Sequence, residues 1–380
     1  SANWDTAQTV TVTGVDDDII DGTITSTTTI TIVDEISDDD FHSVIDQTVS
    51  VTTSDDDVAG FTIAETGGST EVNESSTTDT FTVVLDAQPD SDVVITVTSE
   101  DTGEATVNPA TLTFTSANWD TAQTVTVTGI NDSVDDESQV TSVNLVIDDG
   151  NSDNNFDAVD DQTVSVTTTD NDTAGFTVIE SGGSTSVSED GTTDTFTVVL
   201  NSEPISDVVI AITSSDSDES TVSPSFLTFT SANWDTSQTV TVTGADDDYA
   251  DGTQSSTVTI SVVDLSSDDS FDSLEDQTVS VTTADNDVAG FTIAETNGST
   301  SVSEDGSTDT FTVTLDAQPA SDVVISITSS DTGEATVTSE LTFTSANWDT
   351  AQTVTVTGAD DDIIDGTITS TITVSVNDGN

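Results

Sequence analysis

The string SANWDTAQTVTVTG stands at 1–14, 116–129 and 345–358, and returns at 231–244 with Ser237 as its one change. Its tryptophans, Trp4, Trp119, Trp234 and Trp348, are spaced 115, 115 and 114 residues apart. A second marker, AGFT, begins at Ala59, Ala174 and Ala289 on the same period. A period this long exceeds one turn of a solenoid and suits a whole β-sandwich, so one small fold must be stacked several times along the chain. Dividing at the Asp-x-Asp triplets gives complete units at 55–169 and 170–284. Residues 285–380 form a nearly complete repeat lacking its last strand, and 1–54 form the C-terminal half of another. Residues 1–36 and 345–380 are the same part of the unit, which reads as an interior stretch of a longer array.

Within a unit, apolar residues alternate with Thr and Ser, the period of a half-buried strand. In the first complete unit the pattern predicts strands near Phe61–Ile63, Val72, Phe81–Leu85, Val93–Val97, Leu112–Phe114, Val125–Val127, Leu145–Ile147 and Val164–Val166. No stretch of ten or more residues has a helical period. The expected fold is all-β: tandem antiparallel two-sheet sandwiches arranged end to end.

Charge sets the next constraint. The chain has 74 Asp and Glu, no Lys or Arg, and a single His. Two carboxylates 6 Å apart repel by about 0.7 kcal/mol even in bulk water, so dozens of them rival a folding free energy of about 5–15 kcal/mol. Positive charge has to come from outside the chain, as multivalent cations, high salt or both. Disorder is the other outcome of such a balance. It is set aside because 32% of the residues are apolar and fall in alternating runs, with the acids gathered between them. Nucleic acid is excluded as a direct partner, since phosphate binding needs Lys or Arg. No apolar run reaches the ~20 residues of a spanning helix, so no membrane insertion is expected in this segment. The absence of Cys and Lys removes disulfides and Lys–Asn isopeptides as staples.

The order AGFTIAE (289–295), SVSEDG (301–306), LTFT (341–344) and TVTVTGADDD (353–362), with VSVTTADND (279–287) closing the unit before it, resembles the Calx-beta domain. The resemblance covers every repeat. It implies an immunoglobulin-like sandwich, often with calcium at the loops of one end. Such domains occur in sodium–calcium exchangers, integrin subunits and large bacterial surface or adhesin-type proteins.

Three acidic clusters recur at matching offsets. The junction triplets supply Asp55 and Asp57, Asp170 and Asp172, Asp285 and Asp287. In an extended segment residues i and i+2 point the same way, so Asp170 and Asp172 are expected to converge on one ion while Asn171 faces an opposing loop. After the TVTVTG strand come Asp16, Asp17, Asp18 and Asp21, then Asp246, Asp247, Asp248 and Asp251, then Asp360, Asp361, Asp362 and Asp365. The second copy departs, reading Asn131-Asp132-Ser133 followed by Asp135, Asp136 and Glu137. The third cluster is Glu74, Glu189 and Glu304, with Asp101, Asp216 and Asp331 in a neighbouring loop. The resemblance points to the glutamates and aspartates at these positions as calcium ligands. Calcium takes six to eight oxygens in flexible geometry, whereas magnesium demands a stricter octahedron. The competing reading is a solvated acidic surface of the halophilic kind.

Catalysis has little material, since activated nucleophiles need a base such as His or Lys. His42 is replaced by Asp157 and Asp272 in the other copies and reads as a loop variant. The chain is therefore expected not to be an enzyme. Thr-x-Thr runs read as ordinary strand faces, and the Trp of each repeat reads as a plug after the LTFT strand. The functional expectation is an extracellular or cell-surface structural array, an adhesin stalk or filament, rigidified by Ca2+ at its acidic loops and junctions. Its expected partners are further copies of the repeat, within the chain or by lateral or end-to-end self-association. The alternative is a calcium-responsive module that recognises a carbohydrate or protein partner.

Overall fold

A computed structural model describes residues 3–364 and 366–377. It is all-β, with strands joined by loops and single 3-10 turns. Among the described residues before 55, the strands are β1 (Ile24–Ile30) and β2 (Gln47–Thr53), paired antiparallel as a hairpin. The first sandwich then runs β3 (Phe61–Glu65), β4 (Thr70–Asn73), β5 (Thr78–Leu85), β6 (Val93–Ser99) and β7 (Ala105–Asn108). It closes with β8 (Thr111–Phe114), β9 (Gln123–Gly129), β10 (Gln139–Ile147) and β11 (Gln162–Thr169). The sheets have strand orders β3-β5-β9-β7 and β4-β11-β10-β6-β8. All eight strands expected from the alternation are present. β7 is the addition, a short strand whose residues Ala-Thr-Val-Asn carry too little pattern to announce it.

The pairing is antiparallel except between β4 and β11, which run parallel. The cause is local. The opening strand crosses from one sheet to the other through a turn in which Gly67 and Gly68 take φ of 76° and 92°. That region favours glycine because no Cβ obstructs it. After the crossing, β4 lies beside the last strand and runs in the same direction. The parallel pair brings the C-terminal ends of β4 and β11 to one end of the sandwich, where the acidic segments follow them.

Packing follows from the period of two. Phe81, Val83 and Leu85 of β5 meet Val93, Ile95 and Val97 of β6 across the sheets, and Phe114 and Phe156 complete the core, all buried. Trp119 is half-buried against this core, and its carbonyl accepts from the Leu85 amide at 3.1 Å. Gly129 closes β9 directly against β4: a Cβ there would collide with the Asn73 carbonyl. Gly129→Ala is therefore expected to destabilise this sandwich by about 2 kcal/mol or more, through displacement of β4. The melting transition of this unit, compared with that of the unsubstituted chain, checks it.

The second sandwich repeats the first: β12 (Phe176–Glu180), β13 (Thr185–Ser188), β14 (Thr193–Leu200), β15 (Val208–Ser214), β16 (Ser220–Ser223), β17 (Phe226–Phe229), β18 (Gln238–Gly244), β19 (Gln254–Val262) and β20 (Gln277–Ala284). Its sheets are ordered β12-β14-β18-β16 and β13-β20-β19-β15-β17, with β13 and β20 parallel. The third holds β21 (Phe291–Glu295), β22 (Thr308–Leu315), β23 (Val323–Ser329), β24 (Ala335–Val337), β25 (Glu340–Phe343), β26 (Gln352–Gly358) and β27 (Ile372–Val376). Each sandwich has its own apolar cluster. By contacts the chain divides into Ser1–Thr173 and Ala174–Asn380. No helix among the described residues is long and apolar enough to cross a membrane.

Candidate metal centre

Four loops converge at the end of the first sandwich where β4 and β11 finish together. Glu74 directly follows β4, and its amide donates to the Thr169 carbonyl at 3.2 Å. The triplet Asp170-Asn171-Asp172 follows β11, the segment 130–137 follows β9, and Glu104 precedes β7. Glu74 is 1% exposed, which is extreme for a carboxylate with no cation beside it. Its Oε2 accepts from the Asn171 amide at 3.2 Å and from Asn171 Nδ2 at 3.3 Å. Asn171 Nδ2 also donates to Asn131 Oδ1 at 3.1 Å. The carboxylates of Glu74, Asp132 and Asp172 place one oxygen each within 4.8 Å of the others.

The two aspartates of the triplet divide their work. Asp170 Oδ1 accepts from the Asp172 amide at 2.7 Å, and Oδ2 accepts from the amides of Asp136 at 3.1 Å and Glu137 at 3.0 Å. Asp170 thus staples the triplet to the loop after β9, and Asp172 turns into the carboxylate group. The second sandwich repeats the staple, with Asp285 accepting from Asp287 at 2.6 Å and Gly252 at 2.6 Å. There Glu189 belongs to two groups, one with Asp285 and Asp287 and one with Glu219 and Asp251. In the first hairpin, Asp55 accepts from Asp57 at 2.9 Å and Gly22 at 2.7 Å, and Asp16, Asp17 and Asp18 are exposed.

Other expected ligands lie outside these groups. Asp101 and Asp331 are exposed and accept from the amides of Gly103 and Gly333, and Asp216 accepts from that of Asp218. The middle aspartate of the loop after TVTVTG caps that loop in every copy: Asp17 accepts from Ile19, Asp132 from Val134, Asp247 from Tyr249 and Asp361 from Ile363. Asp246 accepts from Asn286 Nδ2 at 3.2 Å, whereas Asp248, Asp360 and Asp362 are exposed. Glu304 is half-buried and shares an open cavity with Glu334; Asp365 falls outside the described residues. His42 sits on an exposed turn, 3.7 Å from Asp39.

Glu219, grouped with Glu189 and Asp251, and Glu104, near Asp132 and Asp136, were not anticipated from the clusters. They stand three residues after Asp101 and Asp216, 115 residues apart, a recurrence that would have revealed them. Glu219 is 8% exposed, and its Oε2 is buried with no hydrogen-bond partner. Glu104 Oε2, Asp136 Oδ1 and Asp172 Oδ2 are orphaned in the same way. Burial, and then the charges of Asp132, Asp170 and Asp172, push the Glu74 carboxyl up to about 7 against the opposing pull of the Asn171 amide. Burial foremost also raises Glu104, Asp136, Asp172, Glu189, Glu219 and Asp287. Buried carboxylate oxygens without donors are costly unless a cation meets them. A set of carboxylate oxygens gathered from neighbouring loops suits a hard, oxygen-preferring cation.

Searches against family models and against curated proteins find no match. Among solved structures, the calcium binding domain CBD12 of CALX1.1 is 15% identical, over 52% of this chain and 79% of that one, with a TM-score of 0.24. Domains 4 and 5 of the S-layer protein SbsC are 18% identical, over 50% and 76%, with a TM-score of 0.24. A three-immunoglobulin-domain segment of titin is 8% identical, over 80% and 93%, also at 0.24. All three are tandem-domain proteins, and superpositions this partial lend nothing to the choice of ligand.

Proposed function

We propose that this chain is a structural repeat array of the cell surface or extracellular space, with no catalytic role, stiffened by calcium at the acidic end of each sandwich. The observation that carries the reading is Glu219: a buried carboxylate with an orphaned oxygen, facing Glu189 and Asp251. Repetition supports a structural ion, because the same loops carry the same acids in successive units and one active site needs only one set. Near-identical domains extend reach and add little new recognition surface.

Glu219→Gln tests the metal reading with two readouts of opposite sign. Removing a buried charge is expected to raise the melting temperature in chelator, while calcium affinity at that site falls by about tenfold or more. Isothermal titration with calcium and melting in chelator measure the two. A variant that binds calcium as the unsubstituted chain does would reject Glu219 as a ligand and leave the cluster a solvated acidic surface.

A further inference from the structure

The loop that follows the TVTVTG strand touches the sandwich that comes next in the chain. In 16–22 the Asp18 carbonyl accepts from the Gln88 amide of the first sandwich at 2.8 Å, and Ile19 pairs with Gln88 as a parallel bridge. In 246–252 the Asp248 carbonyl accepts from the Gln318 amide of the third sandwich at 2.7 Å, and Tyr249 pairs with Gln318 in the same way. Each of these contacts lies inside one of the two contact units. The receiving residue is prepared by its sequence. Gln88 and Gln318 each precede a proline, Pro89 and Pro319, which biases them to the extended backbone that a bridge requires. Their side chains are tied down as well, Nε2 donating to the Ser116 carbonyl at 2.8 Å and to the Ser345 carbonyl at 3.2 Å.

The delivering loop is held by hydrogen bonds of the chain itself. Asp17 accepts from the Ile19 amide at 3.1 Å, and Asp55 from the Gly22 amide at 2.7 Å. In the other copy Asp247 accepts from Tyr249 at 2.7 Å and Asp285 from Gly252 at 2.6 Å. Between its two anchors the first loop carries an apolar tip. Ile20 stands in a run of aspartates, yet it is half-buried and packs against the core of the first sandwich. Its carbonyl accepts from Asn155 Nδ2 at 3.3 Å. We infer that this loop is a peg, and that the Gln-Pro end of the following sandwich is its socket, so that neighbouring repeats are locked by main-chain bonding and apolar burial with no metal in the contact. Strand-like pairing of this kind draws its affinity from main-chain hydrogen bonds and its specificity from the side chains beside them. The inference goes beyond the calcium reading: an ion would sit among Glu189, Glu219 and Asp251 of one sandwich, whereas the peg engages the next.

Amide hydrogen exchange in chelator reads the joint directly. The Gln88 amide is bonded to the preceding loop, whereas the Asp148 amide is bonded inside the first sandwich, to the Val94 carbonyl at 2.9 Å. Both are expected to be protected without calcium. Ile20→Asp should speed exchange at Gln88 by about tenfold or more and leave Asp148 unchanged, while Ile20→Val should preserve both. Because the chain has no cysteine, a disulfide gives a second measure. Ile19→Cys combined with Gln88→Cys is expected to close within single chains on mild oxidation, as fully in chelator as in calcium. Ile19→Cys combined with Thr102→Cys, which lies beyond the far end of β6, should close none. A Gln88 amide that exchanges in chelator like an unstructured one, protection indifferent to Ile20→Asp, or a disulfide that forms only with calcium would overturn the peg. Such a failure would leave the calcium reading standing, since that is decided by titration and melting of Glu219→Gln.

Discussion

In chelator the chain is expected to melt roughly 10 °C or more below its melting temperature in millimolar calcium, and molar sodium chloride should restore only part of the difference. A ligand that binds the folded state alone stabilises by about 2.7 kcal/mol per site at one hundred times its Kd, and about 1 kcal/mol moves a domain of this size by about 4–8 °C. The chain carries 74 acids and no Lys or Arg, so calcium meets no internal competitor. Salt acts differently. At 1 M the screening length is about 3 Å, enough to quiet the exposed loop acids. It does not reach the orphaned oxygens of Glu219 and Asp172, which need a coordinated ion rather than an atmosphere. Melting curves in chelator, in calcium, and in chelator with molar sodium chloride separate the cases. Full recovery in sodium chloride would identify a solvated halophilic surface and reject specific calcium binding.

The metal-free chain is also expected to lose stability as pH rises from about 4.5 to about 7. Folding lifts the Glu74 carboxyl from 4.5 to about 7, so in that window the folded chain holds a proton the unfolded chain has released. Stability falls wherever the folded state binds more protons and the pH climbs. Glu74 alone contributes on the order of 3 kcal/mol to this decline, and Glu104 and Asp172 act in the same direction. Asp153 and Asp268 oppose it at the acid end. Burial pushes both up, but amide hydrogen bonds, from Asn155 and Ser91 to the first and from Ser206 and Ser270 to the second, win and hold both low. Their contribution is present above the unfolded pKa and is lost as pH falls through the folded one. Saturating calcium should abolish the neutral-side decline, because the ion keeps the Glu74 group ionised. Denaturant midpoints at pH 5, 6, 7 and 8, with chelator and with calcium, test this. A metal-free midpoint that rises toward pH 8 would contradict the buried-carboxylate account.

Much of the site was legible because the repeat exposes it. Asp172, Asp285, Asp287, Glu74, Glu189 and Asp132 are acids at strand ends, recurring at fixed offsets, and the structure gathers them. What the offsets could not show is which oxygen faces the group and which is taken by a backbone amide. Asp170 and Asp172 share a local pattern, yet one staples a loop and the other points into the cluster. Exposed Asp101 looks as promising in the sequence as half-buried Glu104. The difference lies in a loop whose amide at Gly103 turns the aspartate back on itself.

The chain's own residues decided the all-β class, the strand spacing and the single sign of charge, since side-chain alternation and composition are local properties. Strand formation itself was not local. The seven residues QTVTVTG form a strand with alternating burial at 123–129, 238–244 and 352–358, where β5, β14 and β22 lie beside them. At 8–14 the same seven residues form no strand and are exposed throughout, and among the described residues no counterpart of β5 lies beside them. The parallel pairing of β4 with β11 and the burial of Glu219 have the same origin. A strand's hydrogen bonds and a carboxylate's desolvation are completed by groups far away in sequence, and only the folded chain brings those groups together.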